Sequence, residues 1–266
     1  MIEYLETDFE NREDIIAYVR KLSPWAEGNE SCIQGGAAHM NALLDLLEPE
    51  KYGRTRNFGN GRVSRLSPYI SRGIVSLNSV RNRALNQSEK PERAYKFIQE
   101  LAWRDFWRRV ARTQPELLWK DVETYKTGFD ASEYLSDLPV DIIQGRTGIC
   151  CIDYFINELT TFGLLHNHAR MYLASYIVHF RRVRWQAGAF WFMQHLVDGD
   201  LASSNLSWQW VASTYSNRPY IFNLENVNKY FGDLIDTSGE ANRDLNMDYS
   251  SLHSMLFPRL GVTDVE

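Results

Sequence analysis

Apolar residues along this chain recur every three to four positions, the spacing that gathers them on one face of an α-helix, and strand-like alternation is scarce. Ala37, Met40, Leu43, Leu44 and Leu47 form the first such run. Pro49 ends it, because proline lacks the N–H that a helix interior requires. The same spacing predicts helices over 67–85, 91–113, 148–162, 164–183 and 188–196. Residues 52–65 are rich in Gly, Asn and Arg and read as a loop, and residues 130–141 read as a connector. The predicted fold class is all-α. Residues 1–34 form an arm, extended or partly helical and broken at Ser23-Pro24; residues 35–232 form a helical body; residues 233–266 form a polar tail, packing on or near that body, with an apolar patch at 252–260.

Composition narrows the class. The 266 residues are 44% hydrophobic, and no apolar run approaches the ~20 residues that span a bilayer. Glu3 and Glu6 stand where a secretory signal carries basic residues, so no membrane association and a cytoplasmic location are expected. Cys32, Cys150 and Cys151 lack disulfide-framework or zinc spacing and read as reduced core thiols. A net charge of −5 argues against indiscriminate nucleic-acid binding, which Lys and Arg drive. Eight Trp, fourteen Tyr and thirteen Phe are an unusually aromatic inventory.

The candidate chemistry lies in the second half. Gly163-Leu164-Leu165-His166-Asn167-His168-Ala169-Arg170-Met171, Trp185 and the stretch from Asp198-Gly199-Asp200 to Trp208-Gln209-Trp210 set an arginine, amides and two carboxylates among aromatics. Buried charges must be paired, and Arg170 with Asp198 or Asp200 is the natural pairing. Taken singly, each piece has a plainer reading: Asp-Gly-Asp as a turn, Trp208 and Trp210 as core. His166 and His168 are predicted to face opposite sides of a helix, away from the i, i+4 metal spacing, so no metal is expected.

In order, these stretches resemble the FAD-binding domain of the photolyase/cryptochrome family. Arg56-Asn57-Phe58, Ser64-Arg65-Leu66-Ser67-Pro68-Tyr69, Glu100-Leu101-Ala102-Trp103-Arg104-Asp105-Phe106 and Gly145-Arg146-Thr147-Gly148 carry the resemblance with the segments above. It implies a multi-helix domain holding FAD, folded in a U, in a helical cavity. The resemblance extends only to the flavin-binding portion and not to the family's separate antenna domain, so light absorption is expected to fall to the flavin or to another chain's pigment.

By similarity, Tyr52, Ser64 and Ser67 meet the pyrophosphate region, aided by Arg62 and Arg65, while Val63 stands where the family often has Thr. Arg104, Asn167, Arg170, Asp198 and Asp200 surround the flavin ring, with Asp200 accepting from the ring N3–H. Ser204 stands opposite flavin N5, where photolyases usually have Asn. Glu100, Trp103, Met171 and Trp210 face a flipped-out lesion. Trp208 and Trp185 match two members of an electron relay. Its outermost position falls near Ser132, with Tyr125 or Tyr134 as substitutes, or a shortened relay, left open.

Two readings follow from the resemblance. In the first the protein is a light-driven enzyme that repairs cyclobutane pyrimidine dimers in damaged DNA, with the basic groups Arg108-Arg109, Arg112 and Arg181-Arg182-Arg184 available to phosphates. Asn167 and Met171, where six-four photolyases carry His, favour that lesion. In the second it is a cryptochrome-like photoreceptor or redox module without repair activity, coupled to a separate antenna or signalling protein. A third reading, a helical scaffold without flavin, leaves the polar cluster without a ligand. Oligomeric state is not legible.

Overall fold

The computed structural model describes residues 4–25 and 30–261. The chain divides into two units, residues 1–34 and 35–266. In the first, α1 (Arg12–Leu22) is started by Asn11, whose side chain accepts from the Asp14 N–H, and it stops at Ser23; Phe9 packs its ring against Tyr18 at 5.3 Å.

In the second unit, the helices are α2 (Ala37–Asp45), α3 (Pro49–Thr55), α4 (Ser67–Ser71), α5 (Leu77–Gln87), α6 (Tyr95–Thr113), α7 (Val140–Ile143), α8 (Cys150–Phe162), α9 (Asn167–Ser175), α10 (Trp185–His195), α11 (Leu201–Ala212), α12 (Leu224–Phe231) and α13 (Tyr249–Leu256). Among the described residues, an isolated bridge between Leu135 and Val183 is the one strand-like pairing, so the all-α expectation holds. None of these helices is long and apolar enough to cross a membrane.

The core forms where periodicity is strongest. In α8, Cys151, Ile152, Phe155, Ile156 and Leu159 share one buried face. Gly163 ends α8 in the left-handed region at φ 66°, where a Cβ would lie 2.6 Å from Val197 Cγ2, so the chain can turn tightly into α9 only without a side chain. α11 packs against α6, α9 and α10. Its polar residues Asn205 and Gln209 are buried because backbone carbonyls satisfy them: Asn205 Nδ2 donates to Leu118 O at 2.6 Å and Gln209 Nε2 to Leu117 O at 2.6 Å. The tail joins the same unit, with Leu252, Leu256 and Phe257 packed against Phe180 and Ile221.

Several boundaries differ from expectation. Tyr52 lies in α3 and not in a loop, because Pro49 starts a helix at its first position as well as ending the run before it. The helix expected over 67–85 is broken after α4 at Gly73, φ 75°. The run over 164–183 changes at Tyr176 into a π-helical turn, Tyr176–Phe180, that carries His179 inward. His166 lies before α9 as its cap, its Nδ1 accepting from the His168 N–H at 3.2 Å, so the two are not on opposite helix faces. Cys32 is exposed, Cys150 half-buried and Cys151 buried, so only one of the three is a core thiol.

Candidate functional site

α9 and the turn before α11 build the centre of the site. Arg170 Nη2 donates to both oxygens of Asp198, at 2.9 and 2.8 Å, and its Nε donates to Leu165 O at 2.8 Å. Asp198 is 3% exposed. Burial pushes its carboxyl up, but Arg170, the Ser67 hydroxyl and Arg104 outweigh burial and hold it below the ordinary value. Asp200 caps α11, one oxygen accepting from the Ser203 N–H at 3.0 Å. Its other oxygen accepts from Arg108 Nε and Nη2, at 2.7 and 2.5 Å, and from Arg104 Nη1 at 3.4 Å. Burial raises this carboxyl too, and the Ser203 N–H, Arg108 and Arg104 reverse the shift. Arg104 is itself lowered by burial, against the pull of Asp200 and Asp198.

Three arginines therefore face two carboxylates, leaving one positive charge in surplus inside the fold. The Ser203 hydroxyl beside it is buried without a hydrogen-bond partner among the described residues. Such a centre favours an electron-rich or anionic group.

A cavity of about 470 Å³ is lined by apolar Leu43, Leu46 and Leu47 and by polar Tyr52, Arg62 and Ser64. That size suits a cofactor. Arg62 is fixed by Glu48 at 2.5 Å and Leu46 O at 2.8 Å, and Tyr52 packs edge-on against Phe97 at 5.0 Å. Gly61 is obligatory: a Cβ there would lie 1.9 Å from Thr55 O. Ser64 lines the cavity and Ser67, three residues on, meets Asp198, so one short loop joins cavity and charge cluster. An apolar wall, hydroxyls and surplus positive charge fit a ligand with flat aromatic parts and phosphates, which FAD is.

The aromatic residues divide by exposure. Trp103 and Trp210 are 47% and 41% exposed; Trp103 stacks on Trp107 at 5.8 Å and Trp210 packs on Tyr220 at 5.6 Å. Trp185 and Trp208 are core. Trp208 lies so close to α10 that a Cβ on Gly188, one turn after Trp185, would sit 2.3 Å from its ring. Tyr125 and Tyr134, both buried, stack at 4.3 Å, while Ser132 is exposed. Met171 and Ser204 are half-buried and Asn167 is exposed at the first position of α9. Glu100 is held by Lys96 at 2.9 Å and Arg56 at 3.4 Å.

The basic groups expected to face phosphates behave differently. Arg108 turns inward to Asp200 because it shares a face of α6 with Arg104, one turn earlier, a spacing the sequence displays. Arg181 pairs with Asp141 at 2.7 Å, Arg182 lies 3.4 Å over the Phe129 ring, and Arg109 pairs with Asp105 at 2.7 Å.

Comparison with known proteins places this geometry. The model of the FAD binding domain of DNA photolyase matches residues 97–241. The deoxyribodipyrimidine photo-lyase of Streptomyces griseus is 37% identical over 152 residues, 57% of this chain and 32% of that protein. An archaeal photolyase from Sulfolobus tokodaii, solved with two FAD molecules, superposes with a TM-score of 0.66 at 25% identity, over 89% of this chain and 54% of that one. A cryptochrome from Synechocystis shares the fold, with a TM-score of 0.69 at 21% identity, over 90% of this chain and 55% of that one. The chain spans about a third of the length of the Streptomyces relative. With more than half its residues inside that match, this chain belongs to the family of the photolyase FAD-binding domain.

Proposed function

We propose that this chain binds FAD between the cavity and the Arg–Asp cluster and uses it for light-driven electron transfer, with cyclobutane pyrimidine dimers in DNA as the substrate. When bound, FAD supplies light absorption and one-electron chemistry. Tyr52, Ser64 and Ser67 would hold its pyrophosphate region. Arg104, Asn167, Arg170, Asp198, Asp200 and Ser204 would surround its ring, and the surplus positive charge would stabilise the electron-rich form. Trp103 and Trp210, with Glu100 and Met171, would receive a base taken out of the duplex, since exposed aromatic faces stack bases. Trp208 and Trp185 would relay electrons inward.

The observation that carries this reading is the pairing of three arginines with two carboxylates, linked through Ser67 on Asp198 to the segment that lines a cavity of about 470 Å³. The experiment is a dimer-containing oligonucleotide incubated with photoreduced, FAD-bound protein under blue light: recovery of intact thymines is expected, and none after exhaustive illumination would refute the substrate. A sensing role, with a separate antenna or signalling protein, is favoured by one observation: Arg108, Arg181 and Arg182 are engaged within the protein and not displayed to phosphates. Illumination that changes the flavin spectrum without repairing DNA would select it.

A further inference from the structure

Asp121 lies outside the charge cluster, yet the fold fixes it with care. Two buried amides of α11 clamp the chain on either side of it. Gln209 Nε2 donates to Leu117 O and Lys120 O at 2.6 and 3.1 Å, its Oε1 accepts from the Val122 N–H at 3.0 Å, and Asn205 Nδ2 donates to Leu118 O. The clamped carboxylate meets the start of α10, where its Oδ1 accepts the Trp185 indole Nε1–H at 2.6 Å and the Gln186 side-chain amide at 2.9 Å.

Trp185 is wholly buried. Removing an electron from an indole makes its N–H strongly acidic, and an indole cation left in a low-dielectric interior is costly. A carboxylate at hydrogen-bond distance both attracts that charge and stands ready for the proton. Tyr125 is no rival acceptor, since burial and the Asp121 charge hold its phenol above its ordinary value and so keep it protonated. Arg184, at the N-terminus of α10, has no acceptor to offer.

We infer that Asp121 is the proton acceptor that turns oxidised Trp185 into a neutral indolyl radical and so holds the electron vacancy in the core. The inference rests on the electron-transfer reading above. The oxidant is a light-excited oxidised flavin. Trp208 gives up one electron to it, and Trp185 refills Trp208 with one electron. The Trp185 Nε1–H bond breaks as an O–H bond forms on Asp121, which becomes neutral. Return of the electron to Trp185 sends the proton back.

Asp121→Asn tests this, because the amide oxygen can still accept the indole N–H but cannot take its proton. In flavin-free protein labelled with 15N-tryptophan, the Trp185 indole resonance, assigned with Trp185→Phe, should be shifted downfield and protected from exchange. In Asp121→Asn it should move upfield yet stay protected. After a light flash on FAD-bound protein, transient absorption should show a neutral tryptophan radical in the wild type, replaced by the cation radical, with faster electron return, in the variant. The same radical form in both proteins would overturn the inference alone. No tryptophan radical in either, with flavin bands present, would overturn the electron-transfer reading beneath it.

Discussion

Arg108 grips one oxygen of Asp200 through Nε and Nη2, at 2.7 and 2.5 Å, while the other oxygen of the same carboxylate caps α11. Arg104 reaches the same oxygen at 3.4 Å, so either arginine can neutralise Asp200 when the other is lost. Arg108→Met should therefore cost only about 1 kcal/mol, the more so because the Arg108 side chain is 36% exposed and screened by solvent. Arg104→Met with Arg108→Met leaves a buried carboxylate unpaired and should cost about 3–5 kcal/mol, more than the two single changes together. A double-mutant cycle by urea denaturation measures this, and simple additivity would contradict it.

Gly188 sits in the middle of α10, where glycine is ordinarily destabilising. Its reason is Trp208: a Cβ would lie 2.3 Å from Cη2 and 2.5 Å from Cζ3 of a rigid ring in a packed core. Gly188→Ala should lower stability by about 1–3 kcal/mol through overpacking, despite the better helix propensity of alanine. It should also shift the Trp208 fluorescence. A variant as stable as the wild type with an unchanged emission spectrum would show that the ring has room to move.

What the sequence disclosed tracks how each element is stabilised. α8 was readable because its burial is one-sided and apolar, with Gly163 marking the stop. α11 was not, because its buried residues include Asn205 and Gln209, whose partners are carbonyls more than eighty positions away. No local pattern encodes that. The Arg170–Asp198 pairing was accessible as a requirement of charge burial, whereas the choice of Arg108 for Asp200 depended on how α6 is rotated against α11. Trp103 and Trp185 both have charged residues beside them in sequence, and only the tertiary packing separates an exposed platform from a core residue.

His179 predicts acid sensitivity. The π-helical turn buries it completely; Nε2–H donates to Val211 O at 2.9 Å, while Nδ1 is buried without a partner among the described residues, so a second proton would find no acceptor there. Burial lowers its pKa to about 4, and His166, half-buried at the α9 cap, is likewise lowered to about 4. Between that value and the unfolded value near 6.5 the unfolded chain binds more protons, so stability is full above about 6.5 and falls with pH below it. From pH 7.5 to 5 each histidine should cost roughly 2 kcal/mol. Urea midpoints at the two pH values check this, and His179→Gln should remove one such share from the difference. An unchanged pH difference in the variant would mean that His179 does not titrate in this range.

Trp103 tests the lesion-binding role directly. It lies nearly half exposed on α6, its indole stacked on Trp107 and edge-on to Phe106 at 5.7 Å, with Glu100 one turn away. About half of the ring is buried against Trp107 and Phe106, so Trp103→Ala should cost roughly 2 kcal/mol of stability by urea denaturation, and its binding is read on the protein that remains folded. If the ring stacks a base from damaged DNA, the same change should weaken binding of a dimer-containing oligonucleotide by ~1–3 kcal/mol, roughly five- to 150-fold, without altering the flavin spectrum. If Trp210, on α11, stacks a base as well, Trp210→Ala should weaken binding alike. Fluorescence anisotropy with damaged and undamaged oligonucleotides measures both. Equal affinities for wild type and variants would remove the lesion-binding role from these two residues while leaving the flavin site untouched.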